Sequence, residues 1–92
     1  MENVQEVLKR RWVSRTLSMR DAQANRRKHA RRGLDESAAA FDARREQNVS
    51  ACAEVEKIAR DLGITLDKEV LNLRVQKIQD DIERVARAFK EV

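Results

Sequence analysis

The side chains with the clearest chemical capacity are cations. The stretch Asn25-Arg26-Arg27-Lys28-His29-Ala30-Arg31-Arg32 places five Arg or Lys residues and one His within eight positions. Groups at this density can line a phosphate backbone, and each phosphate neutralised releases condensed counterions, so the chemistry is polyanion binding. Arg10, Arg11 and Arg15 extend the candidate footprint toward the N-terminus. Fourteen of the twenty basic residues are Arg, whose planar fork suits bidentate contacts to phosphate or carboxylate. Residues 1–32 hold ten basic groups against three acidic ones, and residues 33–92 hold ten against thirteen. The formal net charge of +4 therefore hides a dipole along the chain, which is a statement about partners more than about fold.

Other chemistry is sparse. One His and one Cys cannot by themselves make a zinc or iron–sulfur site, and no disulfide can close within the chain. The carboxylates are mostly interleaved with Arg and Lys, and no nucleophile–base pair or phosphate-cradling glycine loop can be assembled. The expectation is a non-enzymatic protein without cofactor or metal. Trp12 follows Arg10-Arg11 and could stack on a base, but its place on an apolar helical face favours packing. Cys52 reads as a buried reduced thiol.

The order Arg27-Lys28-His29-Ala30-Arg31-Arg32, preceded by Asp21-Ala22-Gln23, resembles the arginine-rich RNA-binding peptides of lambdoid phage antitermination N proteins. That resemblance implies a bent helix that forms on an RNA hairpin. It covers only this short stretch, which lies inside the chain, and the segments downstream are no part of the pattern.

The elements that must position these cations are helical. Two glycines and no proline leave too little turn chemistry for a β fold. At the C-terminal end, Leu71, Val75, Ile78, Ile82, Val85, Phe89 and Val92 are spaced 4-3-4-3-4-3, a strict heptad seam that predicts a helix packed along a partner helix. The middle segment keeps the same alternation through Leu34, Ala38, Phe41, Arg45, Asn48, Cys52, Val55, Ala59 and Leu62, with small residues that permit close helix approach. Arg45 and Asn48 interrupt this seam and need polar partners. Gly33 and Gly63 have the properties of helix-terminating residues, with Ile64 placed to pack back on the preceding turn and Thr65 to cap the next helix. The segment 55–75 has local likeness to a helix-turn-helix, but the long flanking seams favour a simple helical turn.

In the first segment, Asn3 and Glu6 form a capping box before the apolar face Val4, Val7, Leu8, Trp12, Val13 and Leu17, and Ser18 with Asp21 predicts a break near 16–18. Between Arg20 and Gly33 no large apolar residue occurs, so no core is expected to hold that stretch.

The expected architecture is all-α: a basic N-terminal helical region, 1–32, and a coiled-coil-like antiparallel hairpin, 34–62 against 65–92, within a core and oligomerisation region 33–92. Arg45 is expected opposite Asp80 or Asp81. Because one hairpin would leave much of the C-terminal seam wet, the chain is expected to form a dimeric bundle. The expected function is a nucleic-acid-binding accessory or regulatory protein of bacterial or phage type, with DNA and RNA equally open. The alternative is a protein-interaction adaptor, chaperone or inhibitor that works through its apolar face, with an acidic protein as one class of partner. No apolar run reaches the ~18–20 residues of a membrane span, and a cytoplasmic location is expected.

Overall fold

Asn3 accepts a hydrogen bond from the Gln5 backbone N–H at 2.9 Å and starts α1, Val4–Arg31. The computed structural model describes residues 3–90, which form two further helices, α2 (Asp35–Asp61) and α3 (Lys68–Lys90), and no strand among the described residues. The all-α class therefore stands. The expected break at 16–18 does not form, and α1 runs through it unbroken.

Both glycines end helices, as their positions predict. Gly33 and Gly63 adopt φ of +74° and +70°. At each, the next N–H reaches back to a carbonyl five residues earlier: Leu34 to His29 at 2.9 Å, and Ile64 to Ala59 at 2.7 Å. These are Schellman caps, which need a left-handed residue at the turn. No atom lies within 4 Å of a Cβ built on either glycine, so a side chain there meets backbone strain and no clash. Gly63→Ala is accordingly expected to lower unfolding free energy by about 1–2 kcal/mol without altering the fold, measurable by urea titration. The cap of α3 differs from expectation. Asp67, and not Thr65, accepts from the Glu69 and Val70 N–H groups at 3.1 and 3.4 Å, since a carboxylate there also complements the helix N-terminus.

The main departure concerns which helices pair. The hairpin folds about Gly33, with α2 antiparallel to α1; α2 does not run along α3. The residue pairs define the register: Trp12 with Glu56, Thr16 with Cys52, Arg15 with Asn48, Arg26 with Asp42 and His29 with Phe41. The middle seam is thus the correct face of α2, with Ala38, Asn48, Val55 and Ala59 buried, but it serves α1. On α1 the matching positions are Leu8, Trp12, Arg15, Met19, Ala22, Arg26 and His29, again a 4-3 alternation. This second seam is half polar, which hides it from any search for apolar spacing.

Arg45 accordingly does not meet Asp80 or Asp81; it lines the groove between α1 and α2 with Gln23, Arg26, Arg27, Asp42 and Glu46. Asn48 is satisfied inside the hairpin, accepting from Arg15 Nη1 at 3.5 Å and donating to the Arg44 carbonyl at 2.9 Å. The stretch 20–31 is held after all, by small residues and polar contacts. Ala22 is 1% exposed, and Arg26 and His29 join α2 beyond it. A methyl side chain lets two backbones approach without any large apolar group.

The core combines all three helices: Leu8, Trp12 and Val13 from α1, Val55 and Ala59 from α2, and Leu71 and Val75 from α3. Lys68 Nζ lies 2.9 Å from Glu56 Oε1 and ties the start of α3 to the end of α2. From there α3 runs beside α1 in the same direction, with Arg74 on Glu6 at 3.1 Å and Arg20 donating to Gln79 at 2.8 Å and Asn72 at 3.3 Å. Its seam is buried only at the start. Leu71 and Val75 are 1% and 0% exposed, whereas Ile78, Ile82, Val85 and Phe89 are 37%, 60%, 56% and 79% exposed. Val92, the seam's last member, lies outside the described residues.

Glu56 carries a pH dependence. The hydrogen bond from Lys68 holds its carboxyl below the usual carboxylate range; burial opposes this, and the hydrogen bond from the Trp12 indole offsets part of that opposition. A depressed folded-state pKa contributes stability above the unfolded value, near ~4.3, and loses it as pH falls through the folded value. The stability gap between the native chain and Lys68→Met is therefore expected to close on acidification below ~4.3, as read by denaturant titration at several pH values.

Candidate nucleic-acid interface

The nine cationic residues singled out in the sequence do not form one surface. A helix turns 100° per residue, so Arg11, which is exposed, and Arg15 share one stripe one turn apart, and Arg10 points away from both. Arg10 lines a groove between α1 and α3, and Arg15 faces α2 through Asn48. Arg26 is engaged with Asp42, its Nε 2.7 Å from the Asp42 carboxylate. That hydrogen bond raises the guanidinium pKa further above its ordinary value. His29 is half-buried, its ring edge-on to Phe41 with centroids 5.0 Å apart, so it packs the hairpin.

Four cations remain together. Arg27, Lys28 and Arg31 on the last two turns of α1, and Arg32 at its C-cap, are exposed, and among the described residues they form no ion pair. Arg27 and Arg31 stand one turn apart on the stripe that begins with Leu17, Arg20 and Ala24, the residues facing α3. The C-terminal end of α1 favours cations there through its dipole, which partly explains how such a density is tolerated.

Antiparallel pairing adds two residues, Arg45, which the spacing places on the middle seam, and Arg44, to which the sequence assigns no role. Arg44 and Arg45 of α2 come alongside this end of α1, Arg44 with its guanidinium 5.3 Å from the centre of the Phe41 ring and Arg45 in the groove beside Arg27. Only the register of α2 on α1 could have revealed them. Residues 22–47 then hold seven basic groups against Asp35, Glu36, Asp42 and Glu46, while residues 48–90 hold eight of each sign. Residues 3–21 hold five basic groups against Glu6 and Asp21, so the excess positive charge is shared between the first two-thirds of α1 and the Gly33 end of the hairpin.

Trp12 packs in the core. It is 6% exposed, and its indole N–H donates to Glu56 at 3.2 Å. Cys52 is a free, half-buried thiol 3.5 Å from the Thr16 hydroxyl. Among the described residues, no group of three or more His, Cys, Asp or Glu side chains could hold a metal ion, and no helix is long and apolar enough to cross a membrane. The helix-turn-helix reading has no counterpart, since Asp61 ends a 27-residue helix and Lys68 begins one of 23. Comparison with models of protein families, with curated proteins and with solved structures gave no match.

Proposed function

We propose that this chain is a nucleic-acid-binding accessory or regulatory protein that grips phosphates through the Gly33 end of its α1–α2 hairpin, and that it works as a homodimer in the cytoplasm. The observation that carries the reading is the cluster Arg27, Lys28, Arg31 and Arg32, exposed and, among the described residues, without ion pairs, at the end of a helix that α2 already holds in place. A preformed helix pays little ordering entropy when it meets a polyanion, in contrast to a peptide that folds on its ligand. DNA and RNA phosphates present the same charge to such a surface, so affinity is set by charge density and salt more than by base sequence.

The test is a fluorescence-anisotropy titration against duplex DNA, duplex RNA, single-stranded RNA and heparin at two salt levels. Binding that weakens steeply with salt supports the reading; affinity that does not change with salt removes it. A second reading, a protein-interaction adaptor, is favoured by the exposed seam of α3. It predicts that activity survives when Arg27, Lys28, Arg31 and Arg32 are replaced by Gln.

A further inference from the structure

The second half of α3 presents four large apolar side chains in heptad register to solvent: Ile78, Ile82, Val85 and Phe89. Scattered exposed apolar residues are ordinary, but a contiguous stripe marks a contact surface. The repeat also specifies the kind of partner. A strict 4-3 alternation averages 3.5 residues per turn, the period at which one helix tracks another, so the occupant is a helix.

We propose that the occupant is α3 of a second copy, paired antiparallel about a two-fold axis between Ile82 and Val85. This commits the self-association proposed above to one geometry, and it is independent of nucleic-acid binding. In heptad terms Ile82 and Phe89 are a positions, and Ile78 and Val85 are d positions. Antiparallel pairing sets a against d, giving the layers Ile78 with the partner's Phe89 and Ile82 with the partner's Val85, each repeated by symmetry.

The surroundings fit that register. Ile78 forms one wall of an open cavity of about 560 Å³ whose apolar lining continues through Val13 and Leu17. Ile82 borders a second, of about 410 Å³, with Leu17 and Ala24. The partner's Phe89 arrives at the first and the partner's Val85 at the second, so each copy fills space the other leaves open. The flanking positions facing the partner are Gln79 against its Ala86 and Asp81 against its Ala88, which permits close approach and opposes no like charges. Asp81 also comes within one turn of the partner's Arg84, extending the Asp81–Arg84 ion pair, 3.7 Å within one chain, across the axis. Eight apolar side chains with the cavity walls cover on the order of 1,000 Å², the lower bound for a specific interface.

A parallel pair is disfavoured by the same features. Leu71 and Val75 are committed to the chain's own core, so parallel helices would press the two bodies together at Ile78. Arg74 and Lys77 rim that end in both copies and would repel.

The experiment joins mass with register. Sedimentation of the native chain across a concentration series is expected to give twice the chain mass. In a Cys52→Ser background, chains carrying Gln79→Cys and Ala86→Cys are mixed and mildly oxidised. The proposed register brings unlike cysteines together and leaves like ones about 14 Å (position 79) and about 8 Å (position 86) apart along the axis, so the mixed disulfide is expected to exceed both homodisulfides combined. Predominant homodisulfides, or a statistical mixture, would overturn the antiparallel geometry while leaving a dimer in place. A monomer at every concentration would overturn both the geometry and the self-association. Ile82→Asp, with Val85→Asp as a second variant, is expected to weaken dimerisation at least ~10-fold with helix content unchanged, because both positions are more than half exposed in one chain. Undiminished dimerisation in both variants would also overturn the proposal.

Discussion

Replacing Arg27, Lys28, Arg31 and Arg32 together by Gln is expected to flatten the dependence of log K on log salt by about 3–4 units for duplex DNA, since each lost phosphate contact removes roughly 0.9 of slope. By the same arithmetic these four contacts make the native chain lose about 10²-fold in affinity between ~50 and ~200 mM salt, and the variant should lose almost none of it. Gln has nearly the helix propensity of Arg and Lys, so far-ultraviolet circular dichroism should be unchanged. The control is the set of cations that the fold turns elsewhere. Arg15 faces Asn48, and Arg26 is paired with Asp42 at 2.7 Å. Arg15→Gln and Arg26→Gln should each leave the slope unchanged, in contrast to the roughly 0.9 that a lost phosphate contact removes, and loss of the exposed Arg26–Asp42 pair should have little effect on stability. If the quadruple variant keeps the native slope, the phosphates are held elsewhere and the hairpin end is not the interface.

That contrast among nine similar cations shows what the sequence carries and what it leaves out. Helix content, both glycine caps, the Asn3 cap and the correct inner face of α2 follow from local rules: spacing, caps and the few residues that tolerate positive φ. The choice of partner for α2 does not. Its seam matches α3 in apolar spacing, yet it packs on α1, because the α1 face that receives it is built from Trp12, Arg15, Ala22, Arg26 and His29. Hydrogen bonds, an ion pair and a buried methyl group hold that face, and none of them registers as hydrophobic periodicity. The same error of pairing hid the site. With α2 assigned to α3, Arg44 and Arg45 had no reason to lie near Arg27, and Arg26 and His29 had no reason to turn inward. The exposed half of the α3 seam follows too: a helix read as the hairpin's second arm is left with only its first two apolar layers covered.

Trp12→Ala is expected to be the most destabilising single substitution, at about 3–5 kcal/mol, because it removes a large buried ring from the point where all three helices meet. A domain of this length has a total stability of roughly 5–14 kcal/mol, so the variant should be partly unfolded well below the native melting temperature. The ring does two things there. It belongs to the buried cluster with Leu8, Val13 and Val55, and its N–H donates to Glu56 Oε1, the same oxygen that Lys68 contacts at 2.9 Å. Trp12→Phe separates them: most of the apolar volume stays, and Glu56 keeps Lys68. The loss should then be near 1–2 kcal/mol, or roughly 4–15 °C in melting temperature for a chain of this size. The pair of variants also decides whether Trp12 has any part in binding. A ring that is 6% exposed cannot stack on a base without opening the core, so Trp12→Phe should bind nucleic acid with native affinity and native salt slope wherever it is folded. A folded Trp12→Phe chain with impaired binding would mean that the core opens in the complex, and that the interface reaches down α1 from the hairpin end to the centre of the bundle.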